Sequence, residues 1–304
     1  MKQAENPSKG SVVTVGTFDG VHRGHREVLR LVAEEAASLG LRPLAVTFDR
    51  HPLEVIAPSK APARIMSTAE SVRLIRREGV DVDVIPFGSV RGLTARSWID
   101  EMKRRYGVRV LILGYDNRFG SDGRDLSLDD YERLGREAGI CVERAPEVAG
   151  CSSSAVRRAV EAGDMERARS VLGRRFAVSG TVVHGRAMGR RFGVPTANLS
   201  ADPRQLLPLR GVYAAIARIP GVSKWHKAVV NIGRCPTVTD GQKSTVEVHL
   251  LDFSQDIYGK ELEVAFDSRI RDERRFDSVE ELLRQIKVDI SEVAAKNIAI
   301  EGEE

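Results

Sequence analysis

Three cysteines in 304 residues, Cys141, Cys151 and Cys235, are scattered, odd in number and never spaced CxxC. That pattern excludes a disulfide framework and a cysteine-built zinc site. No apolar run approaches the roughly 18 residues that a membrane span needs. The opening MKQAENPSKG is too polar for a signal peptide, so a cytoplasmic location is expected. Aromatic residues make up only 5% of the chain, and neither charge sign dominates: 47 Lys and Arg against 43 Asp and Glu leave a net +4. So mild a balance gives no reason to expect nucleic acid or a membrane as partner. The Walker A and dinucleotide-binding glycine fingerprints are missing too. What is there is ordinary globular composition, 42% hydrophobic and 30% charged, over a length that suits one large or two ordinary domains.

The two halves are patterned differently. In the first, VVTVG, RPLAVTFD, VDVDVIPF, VRVLILG and ICVERAP read as short, nearly continuous apolar strands. Helical segments alternate with them: about His22 to Leu39, STAESVRLIRREG with Ser67 as N-cap, TARSWIDEMKRRYG and SLDDYERLGREAG. This alternation predicts an α/β doubly wound parallel sheet, with ligands at the carboxyl ends of its strands. From about Phe176, FAVSGTVVHG, GVYAAIARI, WHKAVVNIG, STVEVHLLDF and LEVAFDSRIR follow at short spacing between Gly, Pro and Asp turns. They predict a small antiparallel β-barrel closed by a C-terminal helix. The expected division is 1–158, a helical connector over 159–174, and 175–304. Homo-oligomers are compatible with the sequence.

The first strand runs into GTFDGVHRGH, with His22 and His25 three apart at a helix mouth. Metal binding is weakly supported, because zinc wants three or four N or S ligands. A packing role finds little apolar setting between Gly20 and Gly24. Phosphate fits the chemistry best: a helix N-terminus offers free N–H groups and a positive dipole end, and two imidazoles can add donors. Donors placed there would meet the charge that grows on departing pyrophosphate.

GTFDGVHRGH resembles the HxGH signature of the nucleotidylyltransferase superfamily, through His22, Gly24 and His25. SSSAVR, Ser152 to Arg157, resembles that superfamily's second, Ser-rich signature. Its hydroxyls and Arg157 suit a further phosphate clamp. TFDRHP (47–52) and LGYDNRFG (113–120) resemble segments of the FMN adenylyltransferase module of bacterial bifunctional riboflavin kinase/FAD synthetases. Arg50 departs from the frequent Pro, and Asn117 from the frequent aromatic or His. The resemblance implies ATP contacts from Gly16, Phe18, His22, Gly24, His25, Ser152, Ser153, Ser154 and Arg157. It implies flavin contacts from Asp49, His51, Pro52, Asp116, Asn117 and Phe119.

In the second half, the Gly-rich basic stretch GTVVHGRAMGRRFGVPTANLS reads either as a phosphate cradle or as a flexible hairpin loop. Thr196 and Asn198 are two apart, so an extended backbone puts both oxygens on one face, and such hard donors suit Mg²⁺. In TVEVHLLDF, Val246, Val248 and Leu250 alternate with Thr245, Glu247 and His249. Glu247 is then either a solvated strand residue or the base that takes a proton from a substrate hydroxyl.

GRRFGVPTANL, GVYA, NIGRCPT, VEVHLLDF, DIYG and RIRDERRFDSVEELLRQIKVD resemble, in order and spacing, the riboflavin kinase module of the same family. That resemblance implies an ATP site at Gly185, Gly189, Gly193, Pro195, Thr196 and Asn198, Mg²⁺ on Thr196 and Asn198, and Glu247 as catalytic base. It implies flavin contacts from Arg271, Glu273 and Phe276. Cys235 stands where the family usually has Arg. The expected activities are phosphorylation of riboflavin to FMN by the C-terminal half and adenylylation of FMN to FAD by the N-terminal half. ATP is the co-substrate of both, with His22 and His25 stabilising charge in the second. The rival readings are a chain with one active module, a first domain that adenylylates or cytidylylates a different phosphate, and a flavin-binding regulator.

Overall fold

The computed structural model describes residues 10–185, 193–234 and 244–299. The chain divides into two compact units, Met1–Ser153 and Ser154–Glu304. The division falls before the boundary expected at 158. The segment expected as a separate connector, 159–174, holds the end of α6 (Ser153–Glu161) and all of α7 (Met165–Leu172), and it lies within the second unit.

The first unit carries the five predicted strands: β1 (Ser11–Val15), β2 (Arg42–Phe48), β3 (Asp81–Ile85), β4 (Val108–Leu113) and β5 (Cys141–Arg144). They pair in parallel in the order β3-β2-β1-β4-β5. The order reverses at β1, whose carboxyl end therefore opens onto a crevice. Both faces of the sheet are covered, and β1 is buried throughout. Val12 packs with Val28, Leu29 and Val32 of α1 (Arg23–Leu39). Val13 and Val15 face the other way, toward Trp98 and Met102 of α4 (Ala95–Tyr106) and Tyr131 of α5 (Leu128–Ala138). Helices α1, α4 and α5 end on Gly40, Gly107 and Gly139, all left-handed. Two further helices, α2 (Pro52–Ile56) and α3 (Thr68–Arg77), follow β2.

The second unit is a closed barrel in the order β10-β7-β6-β11-β8-β9. Its strands are β6 (Ala177–Val183), β7 (Ala197–Ala201), β8 (Gly211–Arg218), β9 (His226–Arg234), β10 (Ser244–Leu250) and β11 (Glu261–Arg271). Sequence patterning predicted five of these strands. The sixth, β7, is only five residues long and sits in the Thr-Ala-Asn-Leu stretch, too short to show a period. Apolar residues meet apolar ones across the ladders: Val246 opposes Leu199 and Ile232, and Val248 opposes Ala197 and Val230. Strand β8 is buried along almost its whole length, because its second face lies under the last helix, Val279–Ala295. Ala214 and Ile216 pack there with Val293 and Ile298.

Candidate functional site

At the carboxyl end of β1 the chain turns through Gly16 to Val21. Phe18 and Val21 adopt positive φ, 46° and 36°. A β-branched valine there is a true outlier, and such strain persists only where the surroundings enforce it. Here they do. The Phe18 and Val21 side chains are buried, the Asp19 carboxylate accepts the Ile65 N–H at 3.0 Å, and Ser153 Oγ donates to the Asp19 carbonyl at 2.9 Å. The SSSAVR stretch is thereby tied to the GTFDG turn through Ser153. Ser154 and Arg157 follow along α6, beyond the division between the units.

The helix predicted from about His22 begins one residue later, because His22 is its N-cap. The His25 N–H points to His22 Nδ1 at 3.4 Å. That contact leaves Nε2 as the proton-bearing nitrogen of a neutral His22 ring. The two imidazoles stack at 3.7 Å between centroids and 20° between planes, and the Phe18 ring meets His25 edge-on at 5.3 Å. His22 is only 6% exposed, so packing shapes this pair more than its flanking glycines suggested. Those glycines create the setting. A Cβ on Gly24 would stand 3.2 Å from the His22 ring and 3.4 Å from the Cys151 carbonyl, and one on Gly16 would meet the Phe18 ring at 3.3 Å.

Beside this turn lies a small open cleft lined by Thr17, Asp19, Phe48, Arg50, His51, Arg64, Met66, Thr68 and Ser71. His51 caps α2 by accepting the Leu53 N–H at Nδ1 (3.2 Å), with Pro52 as the first helical residue. Glu54 closes the capping box, and Arg64 grips its carboxylate through two bonds of 2.7 and 2.8 Å. Burial alone would raise the Asp49 carboxyl. The Phe87 N–H at 3.0 Å and the Arg50 guanidinium at 3.3 Å outweigh it and hold Asp49 below the ordinary carboxylate range. The sequence did not single out Thr17, Arg64, Met66, Thr68 or Ser71. Thr17 lies within the quoted GTFDGVHRGH stretch, and around the other four the sequence showed only the Ser67 cap.

Two residues expected at the flavin make contacts within the protein. Phe119 is a core residue, 8% exposed, packed on Tyr131 with its N–H on the Tyr131 hydroxyl. The Asn117 amide donates to the Val15 carbonyl and so latches the β4 loop to the end of β1. Asp116 remains exposed.

In the barrel, Glu247 lies directly opposite Asn198 of β7 on one side and Asn231 of β9 on the other. The alternate residues Ala197, Leu199, Val246, Val248, Val230 and Ile232 are buried. Asn198, Glu247 and Asn231 therefore form one polar row on the outer face, with neighbouring Cβ atoms about 4.5–5.5 Å apart. Thr196 is partly buried, like Asn198, while Ala197 between them is buried, as two residues on one face require. His249 Nδ1 holds the Pro195 carbonyl at 2.8 Å, which fixes the approach to Thr196. Gly185 lies against the Asn198 amide so closely that any Cβ would overlap it. Gly193 has φ +74° in open space. Gly189 and Cys235 fall outside the described residues.

A Cβ on Gly233 would stand 2.9 Å from Glu273 Oε1, 3.1 Å from Asn231 Nδ2 and 3.5 Å from Thr245 Oγ1. Glu273 thus comes to the end of the polar row, whereas Arg271 does not offer its guanidinium there. Arg271 pairs with the buried Asp289 carboxylate at 2.7–3.1 Å, and Arg274 sits over the Phe276 ring at 4.5 Å. No cluster of three His, Cys, Asp or Glu able to hold a metal occurs among the described residues. The row's donors are amide, hydroxyl and carboxylate oxygens, the hard set that fits a magnesium ion already carrying waters and phosphate oxygens.

Comparison with known proteins also divides the chain in two. A family model described as FAD synthetase matches residues 4–157, and one described as riboflavin kinase matches residues 172–297. The chain is 39% identical over 294 residues to the bifunctional riboflavin kinase/FMN adenylyltransferase of Escherichia coli (strain K12), covering 94% of this chain and 92% of that one. It is 34% identical over 289 residues to the protein of the same name from Bacillus subtilis (strain 168), covering 93% and 91%. A crystal structure described as a macrolide-efflux protein from Streptococcus pneumoniae superposes with a TM-score of 0.84 at 31% identity, covering 96% and 98%. In this chain no helix among the described residues is long and apolar enough to cross a membrane.

Proposed function

The chain belongs to the bifunctional riboflavin kinase/FMN adenylyltransferase family, and from that premise we propose which of its residues carry each reaction. The kinase is the C-terminal barrel and the FAD synthetase is the N-terminal α/β unit. The observation that carries the assignment is the row Asn198–Glu247–Asn231, which sets a carboxylate between two carboxamides on strands whose alternate residues are apolar and buried.

In the kinase reaction Glu247 accepts the proton of the riboflavin 5′-hydroxyl as its oxygen attacks the γ-phosphorus of ATP. The bond to the β-phosphate oxygen breaks and ADP leaves. Thr196 and Asn198 would hold magnesium, which when bound neutralises charge on the β- and γ-phosphates. Gly185 lets the Gly-rich segment approach Asn198, and Glu273 lies beside the row where the flavin would enter.

In the adenylyl transfer a phosphate oxygen of FMN attacks the α-phosphorus of a second ATP, and pyrophosphate leaves. No protein nucleophile is needed, so placement and charge stabilisation supply the catalysis. His22 and His25 donate to phosphate oxygens from the mouth of α1, with Ser152 and Ser153 beside the strained turn. The cleft lined by Phe48, His51 and Arg64 receives the flavin nucleotide, at the carboxyl end of β2 where a parallel sheet places its ligands.

The test is incubation of the full chain with riboflavin, Mg²⁺ and ATP, with the flavins chromatographed over time. FMN followed by FAD is expected. FMN alone would overturn the adenylyltransferase assignment, and unchanged riboflavin would point to a flavin-binding regulator.

A further inference from the structure

Asp289 is a carboxylate on the last helix, Val279–Ala295, and it is 2% exposed. A buried ion pair is a weak source of stability and is better attested as a device that fixes register. The partners of Asp289 show what is fixed. Arg271, the last residue of β11, donates to it through bonds of 3.0, 3.1 and 2.7 Å. Gln285, one turn earlier on the helix, donates from Nε2 to the same carboxylate at 2.8 Å and accepts from Arg274 at Oε1, also at 2.8 Å. Arg274, Gln285, Asp289 and Arg271 thus form a chain of contacts whose two ends lie on either side of Glu273. The Phe276 ring lies against both guanidinium groups, 5.8 Å from Arg271 and 4.5 Å from Arg274. The residue before Glu273 is held as well. The Asp272 carbonyl accepts from Arg271 Nη1 at 3.0 Å, and its carboxylate accepts from Arg269 Nη2 at 2.6 Å. Residues 272–275 are exposed and lie outside any helix or strand, yet they are tied at both ends.

We propose that Asp289 and Gln285 are positioning residues of the riboflavin site: they hold the segment that carries Glu273, so that its carboxylate stands at the end of the polar row before the flavin arrives. This rests on the reading in which the flavin enters beside Glu273. The Glu273 carboxylate is already placed there, with Oε1 2.9 Å from where a Gly233 Cβ would be. A carboxylate at that point can accept from the ribityl hydroxyls of riboflavin. A segment ordered in advance loses little conformational freedom on binding, so the clamp is expressed as affinity for the flavin. It acts through Glu273 rather than on the phosphates, and phosphoryl transfer keeps its own rate once riboflavin is bound.

The test is steady-state kinetics of riboflavin phosphorylation by full-length Asp289→Asn and Gln285→Met, with riboflavin and ATP varied in turn. Each variant removes bonds of the clamp and keeps the length of the side chain. The KM for riboflavin should rise about fivefold or more, with kcat and the KM for ATP within about twofold of wild type. A purely structural role would lower kcat through loss of folded enzyme and leave the KM for riboflavin alone. Gln285→Met, at a half-buried position, decides the matter if Asp289→Asn does not fold. A wild-type KM for riboflavin in either folded variant overturns the proposal. Glu273→Ala separates this failure from that of the underlying reading. If its KM for riboflavin is unchanged, the flavin does not enter beside Glu273. If that KM rises while the Asp289 and Gln285 variants keep the wild-type value, only the clamp falls.

Discussion

Glu247 and Asn198 stand directly opposite one another in the antiparallel ladder between β10 and β7. They are 49 positions apart in the chain, yet register alone brings the proposed base beside the proposed magnesium ligand. Glu247→Gln keeps the shape and removes the base. FMN formation should fall by about 10²–10⁴-fold, while conversion of added FMN to FAD continues. Separate assays of the two steps on one preparation check this, and loss of both in a folded protein would break the two-site assignment.

Asn198→Ala should raise the magnesium concentration needed for half-maximal kinase activity and leave the magnesium dependence of FAD formation as it is. Thr196→Val should act in the same direction. Titrating the metal at saturating ATP in each assay gives the comparison. An unchanged requirement in both variants would remove Thr196 and Asn198 from the metal site.

Gly24→Ala tests the histidine pair without touching either ring. The new methyl would crowd the His22 ring at 3.2 Å and the Cys151 carbonyl at 3.4 Å, so the imidazole must move. FAD formation should drop by about 10²-fold or more, the scale of losing one preorganised donor, with FMN formation retained. His25→Ala should give the same split. Equal loss of both activities in either variant would contradict it.

Arg64→Met should destabilise the N-terminal unit. The Glu54 side chain is 7% exposed, and removing its partner strands a buried carboxylate at a cost of about 3 kcal/mol. The double variant Arg64→Met with Glu54→Leu should recover much of that. Urea unfolding followed by the fluorescence of Trp98, which packs in the same unit, measures both.

Asp49 sets a pH dependence. Its carboxyl titrates below the ordinary value of 3.8 in the folded chain. Its contribution to stability is therefore complete above about pH 4 and is lost as pH falls through the lowered folded value. Asn at this position should lower stability near neutrality and narrow the gap to wild type as pH falls below the ordinary carboxylate value. Urea midpoints measured between those limits decide it; a gap that stays constant would show that ionisation of Asp49 is irrelevant.

Much of this was readable in the chain. The inner parallel strands β1, β2 and β4 announced themselves because burial on two faces demands apolar runs, and barrel strands such as β6 and β10 because one buried face demands alternation. The histidine motif and Thr196, Asn198 and Glu247 were visible as residue types at meaningful spacings. Strand β7 was not, being too short for a period. Nor was the burial of Phe119, since an aromatic in a loop looks the same whether it meets a ligand or Tyr131. The Arg271–Asp289 pair was not legible either, because nothing local announces that a carboxylate on a different element takes that guanidinium.

The sequence by itself determined two modules, their order, the fold class of each and the residue types of both sites, because periodicity and motif spacing are local properties. Only the tertiary structure decided which of those residues meet. Register across three strands brought Asn198, Glu247 and Asn231 into one row, and burial stacked His22 on His25 beneath a strained turn. Such placements depend on contacts between distant segments, and those contacts are set by the packing of whole strands and helices rather than by any one stretch of chain.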